Sequence, residues 1–154
     1  MTQRLAAPYK HAAKPYQAMV ALEAAITDSG LEKSLLELIK TRVSQINGCA
    51  FCINMHVADA LKAGENPMRL HLLSAWRESS LFTPRERAAL AWAEALTLLP
   101  QTGAPDADWA ELQAHFSEAE QVNVTFAVGA INTWNRLAVG FRSAHPAEAG
   151  RAAA

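Results

Sequence analysis

Asn47-Gly48 interrupts an otherwise continuous helical pattern and decides what residues 32–63 can become. Before it, Leu35, Leu36, Leu38, Ile39, Val43 and Ile46 recur as a broad apolar face, predicting a helix from about Glu32 to Asn47. After it, a second helix starts near Cys49 and reaches about Ala63, where Gly64 supplies a C-terminal cap position. If the second helix returns antiparallel to the first, positions equally far from the turn face one another, and residue 37 lies level with residues 56 to 59. A single unbroken helix would instead hold Glu37 and Cys49 about 18 Å apart.

The same punctuation divides the rest of the chain. From Pro15, Met19, Leu22 and Ile26 keep helical spacing until Asp28-Ser29-Gly30. Asn66-Pro67 is an N-cap followed by a first-turn proline, opening a shorter helix through Leu70, Leu72 and Leu73. Thr83-Pro84-Arg85-Glu86 and Ser117-Glu118-Ala119-Glu120 are capping boxes, the first opening a helix to about Leu99 and the second a long helix to about Phe141. Between them the spacing predicts a loop over Pro100–Pro105 and a short helix around Trp109 and Leu112. Convincing strand alternation is missing, so the expectation is an all-α bundle of six to seven helices. Residues 1–154 read as one domain, with an N-terminal arm over 1–14 that is ordered only if another surface receives it and a frayed tail over 144–154.

The charges nearly cancel, 14 Lys plus Arg against 15 Asp plus Glu, so the sum advertises neither nucleic acid nor an anionic membrane as partner. Residues 121–141 are weakly charged, but Gln121, Asn123, Asn132, Asn135 and Arg136 interrupt them, which favours a buried helix over a membrane span. The first residues hold no apolar run of secretory length, and a cytoplasmic location is expected.

The chemistry concentrates in the hairpin. Cys49-Ala50-Phe51-Cys52 holds both cysteines of the chain, with His56 one turn beyond the second. A close pair in a reducing compartment is catalytic or metal-binding more often than a structural bridge. Cys52 and His56 stand at i and i+4, close enough for direct contact or one bridging water, while Cys49 reaches the imidazole only through a water. Both cysteines fall in the first helical turn, where free N–H groups and the dipole favour a thiolate. Glu37 across the hairpin would orient His56, giving a Cys-His-Glu set of nucleophile, base and orienter. A thiolate with a second thiol beside it suits two-electron reduction of a peroxide by way of a sulfenic acid and a disulfide. Spacing makes Cys52 the attacking thiol and Cys49 the resolving one, with the reverse assignment open.

Glu37 twelve residues before Cys49-Ala50-Phe51-Cys52, followed by His56 and by Asn132-Thr133-Trp134-Asn135-Arg136, resembles the alkylhydroperoxidase D-like group of the carboxymuconolactone decarboxylase family. The resemblance extends over most of the chain. It implies an all-helical subunit assembling into homo-oligomeric trimers or hexamers, with a proton relay of the glutamate, the histidine and a water serving the dithiol. Peroxidase members of that group carry a second histidine inside the cysteine pair, where this chain has Phe51. The decarboxylases that name the family lack the pair.

The expected activity is therefore a thiol peroxidase acting on hydrogen peroxide or small organic hydroperoxides, reduced by a thiol or dithiol donor, with no bound cofactor or metal. Other readings stay open beside it. Glu37 and His56 could serve a cofactor-free lyase on a carboxylate substrate; Cys49, Cys52, His56 and Glu37 could bind zinc, although structural zinc usually takes more sulfur; the pair could act as a redox sensor, or its cysteines could simply be small buried apolar groups. His11, His71, His115 and His145 have no partner motif, the four tryptophans read as core or interface anchors, and Asn132, Asn135 and Arg136 read as a structural polar face at i, i+3 and i+4.

Overall fold

A computed structural model describes residues 2–145, and within them the chain is helical with no strand. A 3-10 turn, Pro8–Lys10, precedes α1 (Ala13–Thr27), α2 (Lys33–Ile46), α3 (Ala50–Lys62) and α4 (Pro67–Leu72). A second 3-10 segment, Leu73–Glu78, leads to α5 (Pro84–Thr97), α6 (Leu99–Thr102), α7 (Asp106–His115) and α8 (Glu118–Phe141). The tail expected over 144–154 lies, from residue 146 onward, outside the described residues.

Both capping boxes form, Thr83 with Glu86 and Ser117 with Glu120, which is why the starts of α5 and α8 are legible from sequence. Two stretches depart from expectation. The Pro100–Pro105 loop begins with a full helical turn, α6, held by Thr102 Oγ1 donating to the Ala95 carbonyl at 2.6 Å and stopped by Gly103 at φ 64°. That turn brings the α-helices among the described residues to eight, against the six to seven expected. Past α4 the chain tightens into the Leu73–Glu78 segment because the Arg87 guanidinium collects the carbonyls of Trp76, Arg77 and Ser79.

α2 is the centre of the bundle and packs against α3, α5 and α8. Leu35, Leu36, Ile39 and Val43 join a core shared with α1, α5, α7 and α8. Leu38 points the other way, into a second cluster with Leu70, Leu73, Trp76, Phe82 and Leu90. Even Lys40 is buried on α2, its ammonium 2.6 Å from Glu23 of α1, so the charge is paired where water is scarce. α8 is less buried than the sequence pattern led us to expect: one face enters the core, while Val122, Phe126 and Val139 remain exposed. Among the described residues no helix is long and apolar enough to cross a membrane.

Because Ile39 has no exposed surface, Ile39→Ala should lower unfolding free energy by about 2–5 kcal/mol and Ile39→Val by about 0.5–1.5 kcal/mol. Denaturant titration checks both values.

Candidate active site

The turn between α2 and α3 builds the site. Gly48 sits in the left-handed region at φ 65°, its N–H bonds the Gln45 carbonyl at 3.3 Å, and the Cys49 N–H bonds the Ser44 carbonyl at 2.9 Å. These two bonds are the Schellman closure of α2, which needs a residue that tolerates positive φ at this position. Cys49 closes one helix and also opens the next: as N-cap of α3, its Sγ accepts the Cys52 N–H at 3.3 Å. The two sulfurs consequently lie 2.7 Å apart as free thiols, well beyond the disulfide bond length of about 2.05 Å.

A polar network fastens this turn to α8. Asn47 Nδ2 donates to Oδ1 of both Asn132 and Asn135, at 2.9 Å each, and Asn135 Nδ2 donates to Ser44 Oγ at 3.0 Å. Asn135 is 1 % exposed, and its amide favours the charged form of both cysteine sulfurs. The helix-face spacing of Asn132 and Asn135 is visible in the sequence, but their partner, the Asn47 turn 85 residues and more away, is not.

Across the hairpin, Glu37 Oε2 lies 2.8 Å from His56 Nδ1, as the antiparallel reading expects. The carboxylate therefore accepts the Nδ1 proton and leaves Nε2 as the basic nitrogen of the neutral ring. His56 is buried, and Nε2 has no hydrogen-bond partner among the described residues. Asp59, which the sequence reading did not single out, brings a third group: ligand-capable atoms of Glu37, His56 and Asp59 lie within 4.8 Å of one another. Neither cysteine belongs to that set, so the Cys49, Cys52, His56 and Glu37 combination considered for zinc is not assembled.

Cys52 and His56 open onto a cavity of about 580 Å³ whose other walls include Tyr16, Phe51, Met55 and Trp134. Trp134 packs against the core, as expected, and also forms a cavity wall, positioned by its Nε1 donating to Glu23 Oε1 at 3.0 Å. Cys49 lies behind Cys52 and does not line the cavity.

The two thiols are driven in opposite directions. Cys49 is lowered to about 7, chiefly because the Cys52 thiol donates to it; burial opposes this, and the Cys52 N–H, the Asn135 amide and the charge of His56 assist. Cys52 is raised by the same hydrogen bond, which uses its proton, and further by burial and by the charge on Cys49. The first negative charge thus settles on Cys49, whereas the sulfur within reach of the cavity is Cys52. With 2.7 Å between them the first ionisation belongs to the couple, and once it has occurred the two sulfurs share the remaining proton. Ultraviolet thiolate absorbance should accordingly rise with a midpoint near pH 7. In Cys52→Ala, which removes the largest cause, the midpoint should move up toward about 8.5.

Comparison with known proteins gives the chain a family and a fold. The model of the carboxymuconolactone decarboxylase family matches residues 13–95. The uncharacterised protein YdfG of Bacillus subtilis strain 168 is 40 % identical over 139 residues, covering 90 % of this chain and 94 % of that protein. The crystal structure of ATU0492 from Agrobacterium tumefaciens, a protein of unknown function named as a candidate AhpD antioxidant defence protein, superposes with a TM-score of 0.90. It is 48 % identical and the match covers 94 % of this chain and 99 % of that one. The debrominase Bmp8 shares the fold at a TM-score of 0.77 and 22 % identity, covering 84 % of this chain and 70 % of that one.

Proposed function

Since the chain belongs to the carboxymuconolactone decarboxylase family, in its alkylhydroperoxidase D-like group, and since that fold hosts more than one chemistry, we propose from the site itself that it is a thiol-dependent peroxidase. The observation that carries the reading is a reduced thiol pair, 2.7 Å apart, with one sulfur on a cavity wall beside a carboxylate-oriented histidine.

In the proposed cycle His56 Nε2 takes the proton of Cys52, and the Cys52 thiolate attacks the terminal oxygen of a hydroperoxide. The O–O bond breaks, two electrons pass from sulfur to oxygen, and the departing alkoxide takes the proton back from His56 to leave as an alcohol. Cys52 is left as a sulfenic acid. Cys49, already the more acidic thiol, attacks that sulfur, and hydroxide leaves as water with one further proton. The resulting disulfide is reopened by an external thiol or dithiol, which supplies the two electrons. Glu37 holds the imidazole tautomer and stabilises the imidazolium.

The cavity lining supports this over a lyase acting on a carboxylate substrate. Among the described residues it contains neither lysine nor arginine, and its one carboxylate, Glu23, is committed to Lys40 and Trp134. We propose further that the protein is a homo-oligomer, a trimer or hexamer, for which the exposed Val122 and Phe126 beside Leu22 and Trp109 offer an apolar contact face.

Cys49→Ser and Cys52→Ser should each abolish steady-state peroxide turnover without unfolding the chain. Only Cys49→Ser should accumulate a trappable sulfenic acid after one equivalent of peroxide; its appearance in Cys52→Ser instead would reverse the two roles. His56→Ala should lower kcat/KM by about a hundredfold or more, and steady-state kinetics against pH measures this loss.

A further inference from the structure

The cavity over Cys52 and His56 owes one wall to a segment the catalytic cycle does not use. Within residues 2–12, Gln3, Ala7, Pro8 and Tyr9 line it. None of the residues in the Pro8–Lys10 turn is buried, so this strap lies on the body of the protein and is not part of its core.

Its attachment is specific. A helix ends with four carbonyls that lack intrahelical partners. In α8 the Ala138 and Val139 carbonyls are taken by the N–H groups of Ser143 and Arg142. The other two are taken by the strap: the Arg4 N–H donates to Phe141 O at 3.0 Å and Arg4 Nη1 to Gly140 O at 3.1 Å. The guanidinium also places positive charge where the helix dipole is negative. Further along, Tyr9 meets Tyr16 edge-on at 6.4 Å between ring centroids, and Tyr16 leans on Trp134 at 5.7 Å. A chain of ring contacts therefore runs along the cavity lining from the strap to Trp134.

A space of about 580 Å³ is in the range of small-molecule sites, about 300–1,000 Å³, and far exceeds what hydrogen peroxide fills. Its walls are mainly apolar and its carboxylate is paired. We infer that residues 2–12 form a specificity-setting roof, clasped by Arg4 and extended by Tyr9, which encloses the apolar, ring-sized body of an organic hydroperoxide against Tyr16 and Trp134. The inference rests on the peroxidase reading for its substrate, but the roof itself makes a claim about binding. Arg4 and Tyr9 are positioning residues: they touch the body of the substrate or hold what does, and not the reacting oxygen atoms.

The test separates the two claims by using an unreactive probe. Cumyl alcohol, the product expected from cumene hydroperoxide, is titrated calorimetrically into the full-length reduced protein and into Arg4→Ala, Tyr9→Ala and Arg4→Lys. The roof predicts saturable binding that weakens about tenfold in Arg4→Ala and in Tyr9→Ala, a loss of about 1.4 kcal/mol each, and recovers in part in Arg4→Lys. In parallel, the ratio of kcat/KM for cumene hydroperoxide to that for hydrogen peroxide should fall in the two alanine variants, through KM. Equal affinity in all four proteins, or a lowered melting temperature in Arg4→Ala without any change in affinity, would overturn the roof and leave Arg4 as a helix cap alone. Binding that depends on the roof, with no turnover of either peroxide, would uphold the roof and refute the peroxidase reading.

Discussion

The left-handed turn at Gly48 is the constraint on which the site depends. Its positive φ lets the N–H groups of Gly48 and Cys49 close α2 on the carbonyls of Gln45 and Ser44, and it leaves Cys49 in place to cap α3. Capping by a thiol is what folds the Cys49 sulfur back toward the Cys52 N–H and so toward the Cys52 sulfur. The reversal also sends α3 back along α2 until Glu37 and His56 meet at 2.8 Å. A side chain at position 48 would meet no neighbouring atom within 4 Å, so the demand for glycine is one of backbone conformation and not of space.

Around that turn, burial and hydrogen bonding compete, and which wins differs for the two sulfurs. Both cysteines are almost fully enclosed, which by itself disfavours a thiolate at either. At Cys49 the favourable contributions outweigh burial, because the Cys52 thiol and N–H both contact one sulfur and the Asn135 amide and the charge of His56 add to them. At Cys52 the hydrogen bond to Cys49 and burial act in the same direction, since its proton is the one being donated, and the Asn135 amide opposes them without reversing the outcome. In the proposed cycle the asymmetry provides a division of labour: Cys49 carries the charge, and Cys52 faces the cavity. The Asn47, Asn135 and Ser44 network keeps the arrangement rigid, and its buried groups satisfy one another.

Legibility in the sequence followed the range of the interactions. Helices with local signals were readable: the capping boxes at Thr83 and Ser117, the stop at Asn47-Gly48, and the pairing of Glu37 with His56, which is a matter of counting residues on either side of a turn. What could not be read depends on residues distant in the chain. The turn at Leu99–Thr102 is held by Thr102 reaching back to Ala95, and the Leu73–Glu78 segment by Arg87 on the next helix. The purpose of Asn135 appears only when α8 lies against the end of α2. Likewise the arm before α1, written in alanines and scattered basic residues, acquires a place only because α8 ends with two carbonyls that Arg4 reaches. Phe51, between the two cysteines, becomes part of an apolar cavity wall.

The central claim is that Cys49 and Cys52 form a redox couple that reacts as a unit. The most direct test counts free thiols in the denatured protein by the mass added on alkylation, before and after one equivalent of an organic hydroperoxide. The geometry predicts that both thiols disappear together, with the loss of two hydrogens and no added oxygen, and that a dithiol reductant restores them. Two thiols still free after the peroxide, or one lost with oxygen retained on the chain, would contradict the account.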